Sequence, residues 1–544
     1  MNQIEHGLKA NLIQAVKLAF EIVLTLEDVV IEVPKLREHG DYSSNVAMRL
    51  TKQLRINPRM IAQAIMDHVD ASSIEKMEIA GAGFINFFMK KERLTQGIVT
   101  VLTQDEVYGI SSEKKGIKIN VEYVSANPTG DLHPGHARGA AIGDSLTRIM
   151  KAAGYDVTRE YYLNDAGNQI NNMAKSLQAR YLQHCGVDIA VPEEGYHGKD
   201  LIEIADRLYQ EVADQYKDLP LEETLPIFKK YGLEKETDKL RGDLKLFRVE
   251  FDVWTSEQSL YDRGLVQKTL DTLIEKGHTF ESEGALWLRT TDYGDDKDRV
   301  LIKSDGTYTY ILPDIAYHLN KKERGFDKLI NLLGADHHGY IPRLQAAFMS
   351  LGYDREDLSV DIIQMARMIK DGVEFKMSKR TGKAVALKDL MDEAGVDAVR
   401  YYFVSKAGDT HMDLDLDMAT SQSNDNPVYY AQYAHARMCS ILRQAEVSAC
   451  SSYDLLVHDK EMDLLKQLAD YPQMIQDAAK IRQPHIVCLY IQKLAASFHS
   501  FYNECTVLHA EGDLRTQRLA LVKAVQITLR NALTLIGVSA LEKM

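Results

Sequence analysis

The chain has 544 residues, 45% hydrophobic and 26% charged, with a net charge of −14. That length fits about three domains with full cores, and no apolar run approaches a membrane span, which excludes a small disulfide scaffold, a disordered chain and an integral membrane protein. Five cysteines (Cys185, Cys439, Cys450, Cys488, Cys505) form no CxxC pair, which points to a reducing cytoplasm and argues against a structural zinc.

In chain order, residues 1–112 read as a small α/β domain. Ile4, Leu8, Leu12 and Val16 recur at helical spacing, with no apolar segment and cleavage site of a signal peptide. Val29 to Pro34 predicts a strand, Gly40 to Asn45 a loop that opens a helix, and Gly81 to Phe88 a turn into a strand. Ser111 to Gly116 is polar and reads as a linker.

Residues 113–393 read as a doubly wound α/β domain. Ile117 to Val124 is rich in β-formers, Asn127-Pro128-Thr129-Gly130 is a tight loop, and Ile142, Leu146 and Ile149 repeat at helical spacing. Tyr155 to Tyr162 predicts the next strand. A charged, mostly helical insertion is expected around 190–300, and Asp327 to Gly334 resumes the sheet. Residues 394–544 carry helical apolar stripes, among them Leu464, Leu468, Tyr471 and Ile475, and predict a helical bundle. The acidic excess lies before residue 431. The average charge therefore decides nothing about a nucleic-acid partner, which needs only a local basic face.

Two stretches carry chemistry. In Leu132-His133-Pro134-Gly135-His136, proline suits a first helical turn, and glycine admits a flat ring close to the backbone. His133 and His136, three apart, share a face at a helix N-terminus, where free N–H groups and the dipole attract phosphate. Lys376-Met377-Ser378-Lys379-Arg380 is a basic turn in which Lys379 can neutralise a leaving pyrophosphate as a point charge.

In this order the two stretches resemble the HIGH and KMSKS signatures of class I aminoacyl-tRNA synthetases. The resemblance sharpens to the arginyl family. It rests on Gly40 to Asn45, Val121 to Pro128, Tyr161 to Gln169, Gly334 to Tyr340 and Asp397-Ala398-Val399-Arg400, the last similar to the DALR opening of that family's anticodon-binding domain, with valine for leucine. It implies a Rossmann-type catalytic domain, an N-terminal domain touching tRNA, and a DALR-type bundle. It implies an arginine–tRNA ligase that makes arginyl-adenylate from ATP and transfers arginine to the 3′ end of its tRNA, with activation dependent on bound tRNA. His133, His136, Lys376 and Lys379 are then catalytic. Pro128, Gly130, His133, Gly135, His136, Met377 and Lys379 bind ATP. Glu122, Ser125, Asn127, Tyr310, Asp314 and His338 bind arginine. Asn45, Phe84, Tyr429, Tyr433, Arg437 and Met544 are tRNA contacts, with Tyr430 and Gln432 as further candidates. ATP with Mg2+ is a substrate; no zinc or other tightly bound cofactor, no metal site and no membrane is expected. The chain is expected to be a cytoplasmic monomer. A guanidinium is planar and always charged, so a pocket of placed carboxylates separates arginine from neutral amino acids without an editing domain.

Overall fold

The computed structural model describes residues 3–34, 36–375, 385–448 and 450–544. The small N-terminal domain is a helix, Gln3–Phe20, over a four-stranded antiparallel sheet, with Val46–Leu54 and Pro58–Met66 beside it. The expected strand at Val29 to Pro34 is only Ile31–Glu32. Leu8, Leu12, Val16, Ile61, Ile65, Ile85 and Phe87 form its own core.

The next helix, Lys91–Gln104, bridges two cores. Leu94 near its start is buried with the small domain. Ile98 and Val101 are buried in the large core shared by the sheet and the bundle, and Tyr108 donates its hydroxyl to the carbonyl of Leu468 at 2.5 Å. The packing of the small domain therefore ends within this helix, short of residue 112.

The catalytic sheet has five parallel strands: β1 (Lys118–Glu122), β2 (Asp156–Leu163), β3 (Val253–Ser256), β4 (Lys328–Gly334) and β5 (Leu358–Ile363), in the order β5-β4-β1-β2-β3. The chain winds outward through β2 and β3, then returns to lay β4 on the other side of β1. The topological switch point is thus between β1 and β4, where open α/β folds bind ligands. Helix α1 (Pro134–Ala152) follows β1 and is buried on nearly every side. Its small residues allow this: a Cβ at Gly143 would come within 2.3 Å of the Tyr123 ring. Ile142, Leu146 and Ile149 lie against the sheet, and each contributes about 1.5–3 kcal/mol by burial. Helix α2 (Ile311–Glu323) precedes β4.

The segment 190–300 is not all helix. Helices Lys199–Val212 and Leu221–Leu246 project from the sheet, but β3 then rejoins its edge, and Thr279–Ser282, Ala285–Leu288 and Arg299–Ile302 pair as a small antiparallel sheet. Four-residue strands are too short to show a period against flanking charge.

Helix α3 (Val396–Val404) packs on α1, and strand Met412–Asp415 pairs in parallel with Ala366–Lys370, so residues 396–415 are tied to the catalytic domain. The bundle is α4 (Pro427–Arg443), α5 (Asp459–Lys480), α6 (His485–Glu504) and α7 (Gly512–Leu535). Among the described residues no helix is long and apolar enough to cross a membrane.

Candidate active site

β1 ends at Glu122, and the chain turns abruptly. Val124 has φ +72° and Ser125 φ +42°, and the N–H of Ser125 donates to the carbonyl of Tyr123 at 3.0 Å. A three-residue turn of this hand is rare and strained, and a β-branched centre makes it more so. It brings Ser125 Oγ back to donate to Glu122 Oε1 at 3.0 Å while accepting from the N–H of Tyr162 at 3.1 Å. Asn127 Nδ2 donates to Gln169 Oε1 at 2.6 Å.

The loop then delivers α1. His133 is its N-cap: its Nδ1 accepts from the N–H groups of Gly135 at 3.1 Å and His136 at 3.3 Å. Because Nδ1 is the acceptor, the proton of the neutral ring sits on Nε2, which is left to donate outward. The imidazoles of His133 and His136 stack with centroids 3.6 Å apart, as their spacing predicts. Burial pushes both pKa values down; His136 falls to about 4, with the neighbouring His133 adding to the effect. Gly135 has a reason beyond ring access. A Cβ there would meet Met365 Sδ at 2.8 Å and His133 Cε1 at 2.9 Å. Pro128 is buried and Gly130 faces open space. Lys376, Met377 and Lys379 lie outside the described residues.

On the far side of the switch point, α2 turns one polar face toward β1 and β4. Asp314, His318 and Lys321 sit at i, i+4 and i+7, which is one helix face. Lys321, fully buried, donates to Glu122 Oε2 at 2.6 Å and to Asn331 Oδ1 at 3.4 Å, and lies 4.2 Å over the Tyr317 ring. Asn331 Nδ2 faces His318 Nε2 at 2.7 Å, so His318 donates from Nδ1, to the carbonyl of Asp314 at 2.8 Å. Its carboxylate is 3.2 Å from the same nitrogen. Burial alone would raise the Asp314 pKa. The His318 and Tyr340 hydrogen bonds and the Lys321 charge outweigh it and hold the pKa below the usual value.

Tyr162 lies among Glu257, Asp314 and Glu122, and burial followed by these charges drives its pKa up. Glu257 takes a hydrogen bond from Tyr162. Burial, with Asp165 and Asp314 nearby, raises its pKa. The structure thus gathers Glu122, Ser125 and Asp314. Tyr310 it does not: the helix begins at Ile311, and Tyr310 is 93% exposed at the N-cap, outside the buried group around Asp314. His338 is exposed in the turn Ala335–Tyr340 after β4. Lys321, His318, Tyr340, Glu257 and Gln169 are partners that motif reading missed. The i, i+4, i+7 polar series inside an otherwise apolar helix was the available signal for the first two.

In the bundle, Tyr429 and Tyr433 stack with centroids 6.1 Å apart, and His499 continues the ladder at 5.8 Å from Tyr433. Arg437 reaches the Tyr502 hydroxyl at 3.1 Å, and Met544 is exposed. Tyr430 packs on His499. Gln432 is buried and donates to Asp397 and to the carbonyl of Ser539, both at 2.9 Å. It is a structural tie, so its expected availability to a ligand is corrected. In the small domain Asn45 precedes helix Val46–Leu54 without capping it, and Phe84 begins a strand half-buried.

Comparison with known proteins accords with this geometry. The family described as "tRNA synthetases class I (R), catalytic domain" matches residues 97–424, "Arginyl tRNA synthetase N terminal domain" residues 2–89, and "DALR anticodon binding domain" residues 431–544. The chain is 54% identical over 554 aligned positions to the arginine–tRNA ligase of Geobacillus kaustophilus, covering all of both chains. It is 55% identical to that of Bacillus subtilis, covering 95% of each. The solved Thermus thermophilus arginyl-tRNA synthetase superposes over the full length of both chains with a TM-score of 0.79 at 23% identity, a likeness of fold.

Proposed function

The chain belongs to the arginine–tRNA ligases of the class I aminoacyl-tRNA synthetases, an ATP-using family, and from that premise we propose how its residues divide the work. The observation that carries the reading is the charge at the switch point. Glu122, Asp314 and Glu257 converge on Tyr162, while buried Lys321 answers Glu122. The residual negative charge suits a substrate with a cationic guanidinium and ammonium. Asp314 and Glu257 take the planar guanidinium, whose fork matches paired carboxylate hydrogen bonds. Glu122, fixed by Lys321 and Ser125, gives the guanidinium a further carboxylate contact. Ser125 and Asn127 hold the amino and carboxylate end. Tyr310 and His338 would join this pocket only on closure over bound substrate.

The arginine carboxylate attacks the α-phosphorus of ATP, forming the acyl–phosphate bond as the bond to pyrophosphate breaks. His133, through Nε2–H, and His136 donate to the α-phosphate at the positive end of α1 as charge builds there. Pro128, Gly130, Gly135 and Met377 line the nucleotide, and Lys376 and Lys379 neutralise the departing pyrophosphate. The 3′-terminal ribose hydroxyl of tRNA then attacks the carbonyl carbon and AMP leaves. ATP enters with Mg2+ as a substrate. We read the enzyme as a cytoplasmic monomer that needs no zinc, a reading that rests on its cysteines forming no CxxC pair.

The proposed division of labour puts tRNA contacts in the N-terminal domain, at Asn45 and Phe84. Catalysis belongs to the parallel-sheet domain and anticodon reading to the helical bundle that follows it. There the Tyr429–Tyr433 ladder offers ring faces to unstacked bases, beside Arg437 and Met544. Asp314→Asn tests the pocket. It should raise KM for arginine about tenfold or more, the loss of a charge-assisted hydrogen bond, with KM for ATP little changed. An unchanged arginine KM would place the guanidinium elsewhere.

A further inference from the structure

The turn after β1 is strained and needs a restraint, and the structure offers one. Tyr161 is fully buried at the end of β2. Its ring stacks on Trp254 at 4.2 Å between centroids and meets Phe251 edge-on at 5.2 Å. Its hydroxyl does two things with one residue. It accepts from the N–H of Ala126 at 3.0 Å and donates to the carbonyl of the same Ala126 at 2.9 Å. Ala126 directly follows Val124 and Ser125, two consecutive non-glycine residues at positive φ, and directly precedes Asn127. Residues in this conformation persist only where the surroundings over-determine them, and such strain gathers at functional sites. A rigid aromatic stack ending in a bidentate hydroxyl is that kind of restraint.

We propose that Tyr161 is a positioning residue, whose hydroxyl holds the Val124–Ser125 turn in its strained form so that Glu122, Ser125 and Asn127 meet the substrate in register. This rests on the reading of Ser125 and Asn127 as arginine-binding. Without the clamp the turn relaxes to negative φ. Ser125 Oγ then leaves Glu122 Oε1 and the N–H of Tyr162, and Asn127 shifts with it. Misplacement of binding groups by about 1 Å is enough to cost about a hundredfold.

The test uses the full-length enzyme with its tRNA and four variants. Y161F removes one oxygen and keeps the stack. It should raise KM for arginine and lower kcat, together at least about thirtyfold in kcat/KM, while KM for tRNA stays put. V124G puts a residue at position 124 for which φ +72° carries no steric penalty, so the turn depends less on the clamp, with only Ser125 left strained. V124G alone should be close to the parent, and Y161F/V124G should recover most of the activity lost in Y161F. A merely structural tyrosine would lower thermal stability without this rescue. If Y161F does not fold, Y161F/V124G should. Parent-like kinetics in Y161F, or a double variant no better than Y161F, would overturn the proposal. S125A separates the two layers. A raised arginine KM in S125A beside parent-like Y161F rejects the clamp alone, and an unchanged KM in S125A rejects the site reading beneath it.

Discussion

Arg400 and Asp144, 256 positions apart, form an ion pair at 2.5 Å with neither side chain open to solvent. The same guanidinium donates to the carbonyls of Ile536 at 3.0 Å and Phe247 at 2.9 Å. One side chain on α3 therefore joins helix α1, the end of helix Leu221–Leu246 and the end of the last bundle helix. A Cβ at Gly537 would run into this guanidinium, so the chain passes it as bare backbone.

Removing Arg400 should be costly. Arg400→Met strands Asp144 in the interior, for which about 3–5 kcal/mol is typical. The lower end is expected here, because Arg148 Nε stays 2.7 Å from the same oxygen. Arg400→Lys keeps the charge but loses the fork and should also destabilise. Urea unfolding of both variants checks this, and parent-like midpoints would show the joint to be dispensable.

Glu236 gives a pH dependence opposite to ordinary acid unfolding. It is buried on helix Leu221–Leu246, with Lys239 near it and Asp200, Asp131 and Asp243 around. Burial first, then the carboxylates, raise its pKa from 4.5 to about 7, against the pull of Lys239. A carboxyl with a raised folded pKa costs nothing below its unfolded value. The cost grows as pH climbs through the window from about 4.5 to 7 and is complete above it. Glu236→Gln should therefore raise the melting temperature at pH 8 and change it little at pH 4.5. A pH-independent effect would contradict the burial argument.

His136 runs the usual way for a neutral buried imidazole. Its folded pKa, about 4, lies below the unfolded 6.5, so stability is full above about pH 6.5 and declines as pH falls toward 4. The loss should be roughly 2–3 kcal/mol. An imidazole resonance of His136 titrating near 6.5 in the free enzyme would refute this.

Much of this was legible in the sequence. Ile142, Leu146 and Ile149 marked α1, and the Asn127 to His136 run marked its start. The Asp397 to Arg400 motif lies on α3, which packs on α1 ahead of the bundle, and nothing in it says that Arg400 faces inward to Asp144. What was hidden depended on long-range partners. Lys321 reads as one of two adjacent surface lysines until β1 sets Glu122 beside it. Gln432 reads as a polar helix residue until the C-terminal Ser539 closes over it. Tyr310 was assigned to the pocket by resemblance, yet the helix starts one residue later and leaves its side chain exposed. The end of the small domain was set at a polar linker, whereas helix Lys91–Gln104 carries its apolar face to the bundle.

That last point shapes the truncation test. Deleting residues 1–89 removes the small domain's core apart from Leu94, and the Lys466–Asp41 ion pair at 2.7 Å, but leaves Ile98, Val101 and Tyr108 in place. The remainder should keep its circular dichroism and its KM for arginine while tRNA charging falls about tenfold or more, the pattern of a lost binding surface. Full charging would refute a tRNA role for this domain.

Glu122→Gln should raise KM for arginine by about tenfold, as a charge-assisted contact is lost. It should also lower stability, because Lys321 would stay buried without its counter-ion. A fall in stability with unchanged arginine KM would mean the carboxylate serves Lys321 alone.

The most direct test is ATP–pyrophosphate exchange by the purified enzyme with each of the standard amino acids in turn, with and without tRNA specific for arginine. The account predicts exchange with arginine, dependent on that tRNA, and none above background with lysine, glutamine or any other. Exchange supported by a different amino acid, or none with arginine and tRNA present, would contradict it.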